Sequence, residues 1–155
     1  MTEKAARPKI LGGLTVRVST GCGPLYIQMN WCKGELFEVF ATMGKAGGCV
    51  ISHLEALTRA VTLGLRCGIP LNEFVRQLTG IGCPTPQSWP KEEAVASCSD
   101  ALGKTLDKYG SLPIGRVVDL LLETNVPTVG VGESEMVAIN ARVEKLAAER
   151  DALGL

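Results

Sequence analysis

Apolar and polar positions alternate with a period of two along the first third of the chain. Val16 and Val18 share a face within residues 15–19. The alternation is clearer in residues 25–31, where Leu25, Ile27, Met29 and Trp31 face one way and Tyr26, Gln28 and Asn30 the other. A turn at Cys32-Lys33-Gly34 leads to a third stretch, residues 36–41. Three alternating stretches separated by short turns predict an antiparallel meander.

The period then changes to that of a helix. After Gly47-Gly48, the residues Val50, Leu54, Leu57, Val61 and Leu65 recur at helical spacing until Gly68-Ile69-Pro70 stops the run. A shorter helix fits residues 71–78, ended by Gly80, and residues 82–90 form a proline-rich, rigid loop. A third helix starts at Ser97, with Asp100 three positions on as in a capping box, and ends at Gly110. Pro113 can occupy the first turn of a further helix that carries Val117, Val118, Leu121 and Leu122 inward. A Pro/Gly loop, residues 126–132, precedes a last helix over about residues 134–152. There Met136, Ile139, Val143 and Leu146 keep 3-4 spacing, with Leu153 just beyond. That run is shorter than a sustained coiled coil requires. It either packs on its own domain or serves as an oligomerisation or partner helix.

The expected fold is α+β, a three-stranded antiparallel meander packed against three helices, with a C-terminal helical extension. Residues 7–110 form the folded module and residues 111–155 the extension.

Charge removes one class of function. The 155 residues carry a formal net charge of zero, which disfavours bulk electrostatic gripping of nucleic acid. The polar start, Met1-Thr2-Glu3-Lys4, leads to no apolar stretch of a signal peptide, and no apolar run approaches the roughly 20 residues of a membrane helix. A cytoplasmic protein is expected. In that reducing compartment, six cysteines are buried hydrophobes, reactive thiols or metal ligands rather than disulfides.

Spacing alone gives the metal reading little support, because no Cys-x-x-Cys pair is present. Local context says more. Cys22 lies in the tight-turn sequence Thr20-Gly21-Cys22-Gly23-Pro24, Cys83 in Gly82-Cys83-Pro84, and Cys49 and Cys98 open predicted helices. A metal ligand must be a thiolate, and a helix start supports one through its free N–H groups and dipole. Cys32, in a hairpin turn, and Cys67, at a helix end, lack that support.

An ordered series of motifs runs through the same region. It begins with Arg7-Pro8-Lys9-Ile10-Leu11, Thr20-Gly21-Cys22-Gly23, Phe37-Glu38-Val39-Phe40 and Gly44-Lys45-x-Gly47-x-Cys49. It continues through Leu63-Gly64-Leu65-Arg66, Gln77-Leu78-x-Gly80-Ile81-x-Cys83-Pro84 and Ser97-Cys98-x-Asp100-Ala101. The series resembles the C-terminal region of adenosylcobalamin (B12)-dependent ribonucleotide reductases, the TSCPD domain. The final motif departs from the family pattern, with Ala96 in place of the usual Thr and Ser99 in place of Pro.

The resemblance implies that Cys22, Cys49, Cys83 and Cys98 are the recurring cysteines, with a proposed metal role. Four thiolates suit Zn²⁺ in a closed tetrahedral site, or an iron–sulfur cluster; unliganded thiols are the third reading. His53 stands where the family tends to have Gln, one turn after Cys49 on the same helix face. It is either an alternative ligand or a polar neighbour of the ligands.

No nucleophile–base–orienter arrangement is legible, and Gly44-Lys45-Ala46-Gly47-Gly48 lacks the spacing of a phosphate loop. The family's catalytic barrel would need hundreds of further residues, so nucleotide reduction by this chain alone is not expected. Trp89 is read either as a lid over the metal site or as an exposed aromatic that, with Arg66, Arg76 and Lys91, contacts nucleic acid or a partner. The expected function is a non-catalytic zinc module that binds another macromolecule as an adaptor or regulator and self-associates through its C-terminal helix. A single-stranded DNA-binding protein and a thiol redox partner of a ribonucleotide reductase are the alternatives.

Overall fold

Each alternating stretch becomes a strand. The computed structural model describes residues 3–44 and 48–123, and within that range places β1 at Gly12–Thr20, β2 at Gly23–Cys32 and β3 at Glu35–Met43. They pair antiparallel in the order β1-β2-β3, the expected meander, with each strand longer than the alternation alone suggested. The turn between β2 and β3 centres on Lys33 and Gly34, both at positive φ (53° and 86°). Two positive φ values in a two-residue loop match the right-handed twist of the flanking strands, and Gly adopts the second without steric cost.

One face of the sheet is buried. Leu25, Ile27, Met29 and Trp31 from β2 meet Val39, Ala41 and Met43 from β3 and the half-buried Leu14, Val16 and Val18 from β1. Near the far end the register slips: Asn30 pairs with Glu38, but Trp31 pairs with Leu36. Phe37 is therefore an extra residue, and the bulge turns Leu36 to the buried face opposite Trp31. Phe37 is left beneath the Arg66 guanidinium, 5.3 Å from the ring centre.

Helices cover that apolar face. The first, α1, spans Cys49–Arg66, α2 spans Leu71–Leu78, and α3 spans Cys98–Tyr109, each where the periodicity placed it. In α1, Leu54, Thr58, Val61 and Gly64 are buried, a stripe of 3-4 spacing. Thr62 bonds the edge of β3, its hydroxyl accepting from the Val39 N–H at 2.9 Å and donating to the Val39 carbonyl at 3.1 Å. From α3, Ala101, Leu102 and Leu106 complete the core. This α+β arrangement is the expected fold.

The fourth helix, α4, spans Ile114–Glu123. Val117 is buried, but Val118 is 42% exposed, contrary to the expectation that both point inward. Successive helical residues diverge by about 100°, so Val117 lies within the stripe of α4 that meets the core and Val118 at its edge. The side chains of Leu121 and Leu122 lie outside the described residues. So do the Lys45-Ala46-Gly47 segment, the 126–132 loop and the helix expected over residues 134–152. By their contacts the described residues form one compact unit within Met1–Glu123. Among the described residues, no helix is long and apolar enough to cross a membrane.

Candidate functional site: a cysteine pocket

Two loops and two helix starts meet at one end of the sheet. Thr20 pairs with Gly23, so Gly21-Cys22 is a two-residue turn and Cys22 sits at the tip of the β1–β2 hairpin. The Thr20 hydroxyl donates to the Gly23 carbonyl at 2.8 Å and holds that turn closed. The turn presses against the loop of residues 82–90 so closely that a Cβ on Gly21 would overlap the Thr85 carbonyl. Glycine is therefore required there by space.

This contact brings the sulfurs together. Cys22 Sγ lies 3.5 Å and Cys83 Sγ 3.8 Å from the same Thr85 hydroxyl. Cys98 Sγ lies 3.7 Å from the Thr20 hydroxyl, at the other end of the same hairpin turn. Cys22, Cys83, Cys98 and His53 line one cavity of about 240 Å³, together with Val50, Leu54 and Leu57 from α1. Cys22 is exposed and the other two sulfurs half-buried. The His53 side chain makes no hydrogen bond to a described residue.

Cys49 is placed differently. It is the first residue of α1 and exposed, and it does not line the cavity. Cys32, at the end of β2, and Cys67, at the C-cap of α1, lie away from the cavity as well. None of the six cysteines is in a disulfide. Among the described residues, no three His, Cys, Asp or Glu side chains stand at clasping distance of a common centre as they are oriented here.

The electrostatics of Cys98 correct one expectation. A helix start was expected to favour its thiolate, yet the Cys98 thiol is pushed above its ordinary value. Burial is the largest cause. The Thr20 hydroxyl opposes it, and the neighbouring sulfurs of Cys22 and Cys83 add to it. Burial is thus what the helix start fails to offset at Cys98, and a cation beside the sulfur would favour its thiolate.

Asp100 fixes the framework around the cavity. It is 1% exposed, and its two oxygens accept from the Gly80 N–H at 2.7 Å and the Ala96 N–H at 2.8 Å, with the Lys104 ammonium 2.8 Å away. Ser97 caps α3 as expected, accepting from the Asp100 N–H at 3.1 Å. The Asp100 side chain does not complete a capping box; it ties the segments before Cys83 and before Cys98 to each other. The sequence assigns Asp100, Thr20, Thr85 and Gly21 no part in building the cavity. Only the three-residue offset of Ser97 and Asp100 and the Gly next to Cys22 hinted at them.

Trp89 is 73% exposed and is not part of the cavity wall, so it is not a lid on the cysteines. Two of the cations expected beside it are engaged elsewhere. Arg66 donates to the Ala5 carbonyl at 2.7 and 3.0 Å and lies over Phe37. Arg76 pairs with Glu73 at 3.3 Å. Lys91 lies on a short 3₁₀ turn, Lys91–Glu93.

The family model of the TSCPD domain matches residues 1–110, the segment that carries the hairpin tip, the 82–90 loop and the start of α3. The chain belongs to the TSCPD-domain family. Its relatives include the vitamin B12-dependent ribonucleotide reductase of Bradyrhizobium diazoefficiens, 32% identical over 51% of this chain but only 6% of the reductase. The enzymes of the same name from Streptantibioticus cattleyicolor and Streptomyces clavuligerus are 32% identical over 48% of this chain, and over 12% and 8% of their own lengths. The TSCPD chain thus aligns with a small fraction of those relatives. No solved structure matches it.

Proposed function

We propose that this TSCPD protein is a non-catalytic zinc-binding module that acts as an adaptor or regulator by binding another macromolecule. The observation that carries the reading is the cavity in which Cys22, Cys83, Cys98 and His53 meet. Soft sulfur donors gathered with an imidazole at one cavity suit Zn²⁺. The cavity is about 240 Å³ and its wall is largely apolar, so a cation there would be held by these donors. Cys22, Cys83 and Cys98 would hold the metal, with a fourth donor from the first two turns of α1.

A closed tetrahedral site leaves no position for water or substrate, so the metal's contribution is to knit the hairpin tip, α1, the 82–90 loop and α3 together. What such a module offers is then a surface in a fixed shape. Kinship to one region of a ribonucleotide reductase, at 6–12% of the relatives' length, suits a binding role better than the whole enzyme's chemistry.

Elemental analysis of the purified full chain tests the reading. One equivalent of zinc is expected, lost on Cys22→Ser, Cys83→Ser or Cys98→Ser and kept on Cys32→Ser or Cys67→Ser. A Cys32→Ser protein that loses as much metal as the Cys98→Ser protein would overturn the assignment.

A further inference from the structure

We infer that the fourth donor of this site is His53, giving a Cys₃His set, and that Cys49 stays outside it as an exposed thiol; the inference rests on the zinc reading above. Family pattern and helix-start chemistry both favoured Cys49, and the structure separates the two candidates. Val50, His53, Leu54 and Leu57 are the α1 residues on the cavity wall. These positions follow 3-4 spacing, so one stripe of α1 faces the sulfurs. His53 belongs to that stripe and Cys49 does not line the cavity.

Direction along the helix adds a second reason. Side chains on a helix lean toward its N-terminus, so the surface a residue covers lies over the turn before its own Cα. His53 therefore projects toward the first turn, into the region that Cys49 occupies by sequence, with a longer side chain. Its ring makes no hydrogen bond to any described residue, which leaves both nitrogens available. Cys49 is exposed, and among the described residues the side-chain bond at this position is a local one to its backbone, the Ser52 hydroxyl donating to the Cys49 carbonyl at 2.9 Å.

The chemistry is consistent with this choice. Cys₃His is an ordinary closed zinc set, and a neutral imidazole in place of a fourth thiolate leaves less negative charge among the sulfurs that share the cavity.

Cobalt substitution of the full chain tests the assignment directly, because thiolate-to-cobalt charge transfer grows with the number of sulfurs and the d–d bands shift with nitrogen ligation. The wild type should show a three-sulfur spectrum. His53→Cys should keep the metal, raise charge-transfer intensity by about one third and move the d–d bands to longer wavelength. His53→Ala should weaken Zn²⁺ by more than the 10- to 100-fold typical of residues that merely orient a ligand. Cys49→Ser should leave the spectrum and the affinity unchanged, and the Cys49 thiol should react with a thiol reagent in the zinc-loaded protein. Loss of about a quarter of the charge-transfer intensity in Cys49→Ser, with no change in His53→Ala, would overturn the assignment and leave the zinc reading intact. Failure of the wild type to take up Zn²⁺ or Co²⁺ would overturn both.

Discussion

The Asp100 carboxylate accepts from the Gly80 backbone N–H at 2.7 Å, joining the start of the helix that carries Cys98 to the segment that leads to Cys83. The same side chain accepts from the Ala96 N–H, so one buried carboxylate satisfies two backbone donors in two segments. Leaving a partly buried N–H unpaired costs about 1–3 kcal/mol. Asp100→Ala should therefore destabilise the fold by about 2–4 kcal/mol, measured by urea unfolding. Lys104→Ala, which removes only a half-exposed partner, should cost less than about 1 kcal/mol. Equal losses in the two variants would show that the ion pair, and not the backbone bonds, matters.

Acid should reveal the same carboxylate. Burial raises the Asp100 pKa, and Lys104 with the two backbone N–H groups outweighs it, so the net shift is downward. Glu38 is also lowered, chiefly by its hydrogen bond with Arg7; burial opposes this and Asn30 assists. A carboxylate with a depressed folded pKa binds protons less readily folded than unfolded. Its stabilisation is full above the unfolded value of about 4 and is lost as pH falls through the folded pKa. In the metal-free protein the melting temperature should be flat between about pH 5 and 7 and fall below about pH 4. In Asp100→Asn and Glu38→Gln proteins that fall should be shallower; an acid limb of unchanged slope in both would contradict the assignment.

Gly21 is where the cysteine cavity depends on the absence of a side chain. A methyl there would overlap the Thr85 carbonyl, and a backbone atom cannot swing aside. The cheapest escape moves the hairpin tip, and Cys22 with it, away from the 82–90 loop. Gly21→Ala should cost about 1–3 kcal/mol and loosen the metal, read as faster zinc transfer to a chromogenic chelator. Gly12→Ala is the control, because a Cβ there meets nothing within 4 Å. Zinc release from the two variants at the same rate would remove Gly21 from the site.

The elements that the sequence made legible are those marked by punctuation or by a sustained period. Gly68 and Pro70 close α1 and open α2, Ser97 caps α3, and the strict alternation of β2 fixes its buried face. The bulge at Phe37 was not legible, since Leu36 and Phe37 are both apolar and a plain strand fits with either one facing inward. The meeting of Cys22, Cys83 and Cys98 followed local chemistry, but the separation of Cys49 from the cavity did not. Both His53 and Cys49 belong to one helix face by arithmetic, and only the way α1 lies on the sheet distinguishes them. Asp100 looked like half of a capping box because its long-range donors, Gly80 and Ala96, carry no mark in the sequence beyond being backbone.

Trp89 offers a direct test between the adaptor reading and the single-stranded DNA reading. The chain has two tryptophans. Trp31 is 4% exposed and Trp89 73%, so only Trp89 can report a ligand at the surface by fluorescence quenching. Stacking of a base on an exposed aromatic is worth about 1–3 kcal/mol, but nonspecific affinity also needs cations free to replace phosphate counterions. Here Arg66 is held by Ala5 and Phe37, Arg76 by Glu73, and the formal net charge is zero. Titration of an oligothymidylate should leave Trp89 emission unchanged at physiological salt. It should also leave no binding whose logarithm falls linearly with the logarithm of salt concentration. Quenching abolished by Trp89→Ala, with a steep salt slope, would replace the adaptor reading with the nucleic-acid one. That result would be compatible with the zinc site, because the two depend on different residues.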